Sequence, residues 1–147
     1  QSLRLPLFSL LATVALAGPA QTHAKPPVLP DGVRLERDLA YIVDGEESRR
    51  LDLYLPEQTP ARPLPLIVHI HGGGWMGGNK FPCPVTDMVL HGYAVASVGY
   101  RFSQQAKFPA QIQDCQAAIR WLREHREEYH LDAEKIGVVG GSAGGHL

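Results

Sequence analysis

The sequence predicts an α/β protein with a mostly parallel β-sheet. Three nearly continuous apolar runs, residues 64–71, 93–100 and 135–140, have the length and composition of strands buried inside a sheet. An amphipathic helix pattern over residues 108–122 lies between the second and third runs. Buried strands that alternate with helices are typical of parallel sheets, because a crossover between parallel strands needs a helix-length connection.

The first part of the sheet is predicted to be antiparallel. Residues 35–43 and 51–55 read as the two strands of a hairpin, with Asp44 and Gly45 supplying the turn. After the first buried run, residues 85–91 are expected to form a short helix.

The main helix has apolar residues at spacings of four and three, and Pro109 suits its first turn. The apolar stripe consists of Phe108, Ile112, Cys115, Ile119 and Leu122. We expect this stripe to pack on the sheet. Asp132 is predicted to begin a short turn that leads into the strand of residues 135–140.

The composition is that of a globular domain. Hydrophobic residues make up 44% and charged residues 20% of the 147 residues, which is enough chain for one domain at most. The formal net charge of −1 excludes the basic footprint of a nucleic-acid-binding protein.

The first segment has the pattern of a secretory signal peptide. Arg4 precedes an apolar run over residues 5–17, which is too short to span a bilayer and is followed by small residues. Cleavage is expected after Ala20 or after Ala24, and residues 1–24 are taken as the signal peptide.

A buried helix of the domain is the alternative for this segment. Pro6 and the proline-rich linker of residues 25–32 argue against it. The sequence therefore predicts a secreted or periplasmic protein without a membrane anchor after cleavage.

The end of the third buried run carries a candidate nucleophile. Gly140, Ser142 and Gly144 form G-x-S-x-G between a strand and a helix, which is the layout of a nucleophile elbow. The residues two before and two after the serine come so close there that neither has room for a side chain. A phosphate loop would need G-x-x-x-x-G-K-[ST], and a dinucleotide-binding turn would have glycine in place of Ser142.

A second motif follows the first buried run. His71 opens "HGGGW", and three glycines after a strand leave bare backbone amides. Acyl transfer needs such donors where the oxyanion of a tetrahedral intermediate develops. The pairing of this motif with a later G-x-S-x-G is far more specific than either motif alone.

Four segments together resemble the α/β-hydrolase esterases: "HGGGW" at 71–75, "GYRFS" at 99–103, "FPAQIQD" at 108–114 and "GGSAGGHL" at 140–147. The bacterial feruloyl- and acetyl-esterase-like group is the most similar, and the hormone-sensitive-lipase-like group comes next. The resemblance covers residues 33–147. It implies a mostly parallel sheet with helices on both faces and a triad in the order Ser, Asp or Glu, His.

The resemblance assigns Ser142 as nucleophile and the amides of Gly73, Gly74 and Ala143 as the oxyanion hole. Gly141 stands where lipase-like relatives often carry Asp, which favours the feruloyl- and acetyl-esterase group. The acid and the base of the triad have no counterpart in this sequence. We therefore expect the N-terminal part of the domain, truncated after the nucleophile elbow.

The histidines near the motifs have other expected roles. His146 lies one turn into the helix after Ser142, whereas the base must approach the hydroxyl from across the site. His69 and His71 could hold a metal as an H-x-H pair, but no third ligand is evident. Packing is preferred for His69 and a loop-fixing hydrogen bond for His71, while Trp75 either walls the acyl pocket or packs against the loop.

Further residues near the motifs are expected to be structural. Tyr100 and Arg101 could touch substrate at the carboxyl end of a strand, but an ion pair of Arg101 with Asp114 is preferred. In the resembled fold Cys83 lies near the first helix after the oxyanion loop and Cys115 belongs to the next helix, on the opposite face of the sheet, so two buried free thiols are expected.

These features predict a serine-dependent carboxylic ester hydrolase that acts on short or aromatic acyl esters through an acyl-enzyme intermediate. The expected substrates are small-molecule or polysaccharide-linked esters, with no cofactor and no metal. The alternatives are an amidase, formamidase or peptidase of the same fold, and a non-catalytic binding protein that has kept the fold.

Overall fold

The computed structural model describes residues 29–43 and 46–147. The predicted signal peptide of residues 1–24, residues 25–28 of the predicted linker and the predicted turn at Asp44 and Gly45 lie outside the described residues. Within the described part of the chain, no helix is both long enough and apolar enough to cross a membrane.

One five-stranded sheet, with the strand order β1-β2-β4-β3-β5, organises the fold. β1 pairs with β2 and β2 with β4 in antiparallel fashion, whereas β3 is parallel to both β4 and β5. The predicted parallel core and the antiparallel first hairpin are therefore confirmed. The strands are β1 (Val33–Ala40), β2 (Arg50–Pro56), β3 (Leu64–Ile70), β4 (Ala94–Val98) and β5 (Leu131–Gly140).

Helices cover both faces of the sheet. Successive side chains of a strand point to opposite faces, so neighbouring residues of one strand pack against different helices. On one face, Ala94 and Ala96 of β4 belong to the core that packs against α1 (Ala110–Glu124). On the other face, Val95 packs in a smaller cluster near a 3-10 helix (Thr86–His91). The predicted short helix of residues 85–91 is thus confirmed, as one of the 3-10 type.

The helix α1 begins two residues later than its predicted stripe. Phe108 precedes the helix and its side chain is 71% exposed, so the prediction that it packs on the sheet is wrong. Cys115 and Leu122 are buried as predicted, whereas Ile119 is only partly buried. Ala118 lies between them at the centre of the face, where its small side chain lets the helix approach the sheet closely.

The strand β5 is longer than predicted. Leu131 already pairs with Leu64, and Asp132 pairs with Pro65. The prediction that Asp132 lies in a turn before the strand is therefore wrong. The register then jumps to a pair between Leu66 and Ile136. Asp132 Oδ1 accepts a hydrogen bond from the backbone N–H of residue 134 within this bulge. The turn chemistry of Asp132 is therefore used inside the strand.

A buried ion pair joins the end of β4 to α1. Asp114, which is 1% exposed, accepts hydrogen bonds of 2.8 Å from Nε and Nη2 of Arg101 and one of 3.0 Å from its backbone N–H. The predicted structural role of this pair is confirmed. Cys83 and Cys115 are buried free thiols in different clusters, also as predicted.

Candidate active site

Ser142 occupies a strained turn between β5 and the short helix α2 (Ala143–His146). Its backbone angles, φ +54° and ψ −120°, are rare for a residue with a side chain. The side chain of Ser142 is exposed, whereas Ala143 directly after it is buried. The turn therefore lifts one hydroxyl clear of the carboxyl end of β5.

The glycines on either side make this turn possible. A methyl group on Gly140 would lie 2.5 Å from the carbonyl carbon of Gly144, and one on Gly144 would lie 2.8 Å from the carbonyl oxygen of His71. Contacts that short do not occur between real side chains and backbone. Both positions therefore strongly disfavour any residue with a side chain, as the spacing of the motif predicts.

The glycine loop after β3 lies directly beside Ser142. A methyl group on Gly72 would be 3.5 Å from Cβ of Ser142. Among the described residues, the N–H groups of Gly73, Gly74 and Ala143 donate no hydrogen bond in the loops and turns. The structure thus brings the serine and three free backbone donors to the same edge of the sheet.

His71 holds the start of this loop. Its Nδ1 forms a 2.7 Å hydrogen bond with the carbonyl oxygen of Gly72, as predicted. Its ring also stacks on Tyr100, with 4.4 Å between the ring centroids. The hydroxyl of Tyr100 donates a 2.9 Å hydrogen bond to the carbonyl oxygen of His71. Burial raises the pKa of Tyr100 to about 12, so this donor keeps its proton at any physiological pH.

Sequence reasoning missed this role of Tyr100, and it missed a second anchor of the loop. Lys80 Nζ lies 2.6 Å from Oδ1 of Asp52, which is fully buried in β2, and 2.7 Å from Oδ1 of Asp38. The hydrogen bond to Lys80 is the main cause that lowers the pKa of Asp38. No local signal could reveal these contacts, because the partners are 28 and 42 residues apart.

His69 is buried in the sheet, as predicted, and its Nδ1 lies 3.0 Å from Oγ of Ser97. Burial lowers the pKa of His69 and the pKa of His71. Among residues 29–43 and 46–147, no cluster of three or more His, Cys, Asp or Glu side chains could hold a metal ion.

Trp75 and His146 meet beside the serine. Their rings are in edge-to-face contact with 5.4 Å between centroids, and His146 donates its backbone N–H to the carbonyl oxygen of Ser142. Trp75 is 40% exposed and lines an open cavity, so it is not simply packed in the core. Within the described residues, the hydroxyl of Ser142 has no side-chain hydrogen-bond partner.

A mixed sheet with a parallel core, covered on both faces, that presents a serine on a strained strand-to-helix turn defines the class of α/β-hydrolases. Comparison with known proteins identifies the family within this class. The BD-FAE family matches residues 51–147, and the chain belongs to that family.

Among curated proteins, carboxylesterase NlhH of Mycobacterium tuberculosis is 36% identical over 137 residues. The alignment covers 91% of this chain and 42% of NlhH, so the chain spans less than half the length of this relative.

Solved structures agree with this assignment. A truncated carbohydrate esterase from gut microbiota superposes with a TM-score of 0.70 and 35% identity, over 77% of this chain and 41% of that one. Esterase B of Lactobacillus rhamnosis, solved with a tributyrin phosphonate inhibitor, superposes with a TM-score of 0.72 and 31% identity, over 82% and 40% of the two chains. The α/β-hydrolase fold and a relationship to carboxylesterases are thereby shown.

Proposed function

We propose that this chain carries the nucleophile and the oxyanion hole of a serine-dependent carboxylic ester hydrolase. The observation that carries the proposal is the proximity of the two motifs, since a methyl group added to Gly72 would lie 3.5 Å from Cβ of Ser142. Ser142 then acts as the nucleophile of an elbow, and the free amides of Gly73, Gly74 and Ala143 stabilise the oxyanion.

The reaction proceeds through an acyl-enzyme. Oγ of Ser142 bonds to the ester carbonyl carbon, and its proton passes to a base. The base returns that proton to the departing alcohol as the C–O bond of the ester breaks, and water then hydrolyses the acyl-serine. We assign the base and the acid that orients it to other parts of the full gene product. The backbone hydrogen bond from His146 to the carbonyl oxygen of Ser142 places His146 one helical turn after the serine, which supports leaving His146 out of this role because the base must approach from across the site.

Short or aromatic acyl esters are the proposed substrates, either as small molecules or attached to polysaccharide. Two similar structures support part of this choice: a carbohydrate esterase supports polysaccharide-linked esters, and an esterase inhibited by a tributyrin phosphonate supports short acyl groups. A panel of nitrophenyl esters tests it, and fastest hydrolysis of the long-chain members would contradict it.

The nucleophile is tested by Ser142→Ala in the full gene product. We expect kcat for nitrophenyl acetate to fall at least about a thousandfold, because no other group replaces the attacking oxygen. Thr59→Ala is the matched control, since it removes an exposed hydroxyl beyond the end of β2, near the start of β3 and not near its carboxyl end. A Ser142→Ala enzyme that keeps its turnover would remove Ser142 from the mechanism.

We also propose that residues 1–24 direct export to the periplasm or the medium. The apolar run after Arg4 supports this proposal. Alkaline phosphatase, which is active only outside the cytoplasm, is expected to gain activity when it is fused behind these residues. Leu10→Arg places a charge in the apolar run and is expected to abolish that activity. Equal phosphatase activity of both fusions would exclude a signal peptide.

A further inference from the structure

An apolar cleft opens beside the glycine loop. Three large side chains that would ordinarily be buried are exposed along it: Trp75 by 40%, Met76 by 62% and Phe108 by 71%. The cavity has a volume of about 510 Å³, and none of the described residues that line it carries a carboxylate, ammonium or guanidinium group. We name these three residues and the space between them the aryl cleft.

The aryl cleft adjoins the reacting groups. Gly74, a proposed oxyanion donor, belongs to its lining. His146, whose ring contacts Trp75, lines it from the other side and follows Ser142 by one helical turn. One substrate molecule can therefore place its carbonyl at Ser142 and another of its groups in the cleft.

The walls of the cleft are held in place before any ligand arrives. The carbonyl oxygen of Trp75 accepts a 2.8 Å hydrogen bond from the N–H of Ser103, and that of Met76 accepts one of 3.0 Å from the Gln104 side chain. Gln111, at the base of the cleft, is 2% exposed, and its amide donates 2.7 Å to the carbonyl oxygen of Ala106. Such preorganisation favours binding, because little conformational entropy is lost.

We propose that the aryl cleft binds an aromatic ring of the ester substrate, with Trp75, Met76 and Phe108 as the specificity-determining residues. Two aromatic faces offer edge-to-face or offset contacts to a ring, and a thioether makes favourable contacts with aromatic edges. The lack of lining charge favours an uncharged ring. The inference rests on the proposed function, and it extends that function to a recognition site for one part of the substrate.

The first test compares aryl with alkyl esters in the full gene product. The ring is placed on the alcohol side in phenyl acetate and on the acyl side in ethyl benzoate, and ethyl acetate is the reference for both. Met76→Ala and Phe108→Ala are each expected to lower the aryl-to-alkyl ratio of kcat/KM about fivefold to tenfold. Leu90→Ala, which truncates an exposed leucine of the 3-10 helix, is the matched control and keeps the wild-type ratio.

The two substrates separate the possible sources of the ring. A fall confined to phenyl acetate assigns the cleft to the alcohol side, and a fall confined to ethyl benzoate assigns it to the acyl side. Unchanged ratios for both substrates in both variants would overturn the proposal.

The second test measures binding without chemistry. The full gene product with Ser142→Ala and Trp121→Phe is compared with the same protein that also carries Trp75→Phe, so that the fluorescence difference between the two belongs to Trp75, one of the two tryptophans of residues 1–147. Phenyl acetate is expected to change its fluorescence in a saturable manner, with about fivefold weaker binding after Phe108→Ala. The absence of saturable binding would overturn the aryl cleft. Retained hydrolysis by Ser142→Ala alone would instead refute the proposed nucleophile and leave the binding curve intact.

Discussion

His69 shows how a single buried residue couples the sheet to the glycine loop. Oγ of Ser97 donates its only hydrogen to the carbonyl oxygen of Lys80, 2.6 Å away. The same oxygen must therefore accept the hydrogen bond from Nδ1 of His69, which assigns a neutral His69 with its proton on Nδ1. Protonation of the other ring nitrogen is opposed by burial, which is the main cause of the lowered pKa of His69.

The stability of the chain is predicted to depend on pH through this residue. Because the pKa of His69 is lowered in the folded state, the unfolded state takes up a proton at about pH 6.5 that the folded state does not. Its contribution to the free energy of unfolding is complete above that pH and declines as the pH falls below it. His69→Asn, which keeps a donor for Ser97, should flatten this decline between pH 7.5 and pH 5 in urea titrations. Identical slopes for variant and wild type would contradict the prediction.

At the scale of elements, the unit formed by β5, the turn and α2 depends on close backbone approach. The carbonyl groups of Ile70 and His71, at the end of β3, lie directly against Gly144. The end of β3 therefore limits the size of the residue at position 144 of α2. This close approach joins the serine turn and the glycine loop into one unit.

We predict that Gly144→Ala destabilises this unit. The added methyl group would meet the Ile70 carbonyl and lie 2.8 Å from that of His71, so the free energy of unfolding should fall by about 1–3 kcal/mol. Gly137→Ala is the matched control, because no atom lies within 4 Å of a methyl group at that position of β5. Its change should not exceed about 0.5 kcal/mol. Equal urea midpoints for the two variants would contradict this interpretation.

At the scale of the whole molecule, β5 is an edge of the sheet. Among the described residues β5 pairs with β3 alone, so one side of its backbone is unpaired. Val138 and Val139, on opposite faces of this strand, are 56% and 41% exposed. An edge strand with exposed valines favours pairing with another chain.

We therefore predict that the 147-residue polypeptide self-associates through β5 at about 100 µM. Val139→Lys introduces charge at the edge and should reduce association in sedimentation velocity experiments. Val43→Lys, at a 95% exposed position outside the strands, controls for the added charge alone. A monomeric wild type, or equal dissociation by the two variants, would show that β5 is not the contact.

Local spacing in the sequence determined the parallel core, the turn at Ser142 and the glycine loop. Continuous apolar runs are needed wherever a strand is buried on both faces, and G-x-S-x-G is needed wherever backbones approach as closely as at Gly140 and Gly144. Each of these constraints involves residues that are close together in the sequence, so the sequence alone reveals it.

Only the tertiary structure decided the contacts that hold and extend the site. Tyr100 reaches the carbonyl of His71 across 29 residues, and Lys80 reaches Asp52 across 28. Phe108 fits the spacing of an apolar helical stripe, yet it precedes the helix and stands exposed at the aryl cleft. Such contacts depend on strand order and on where a helix begins, and sequence spacing does not specify either of these.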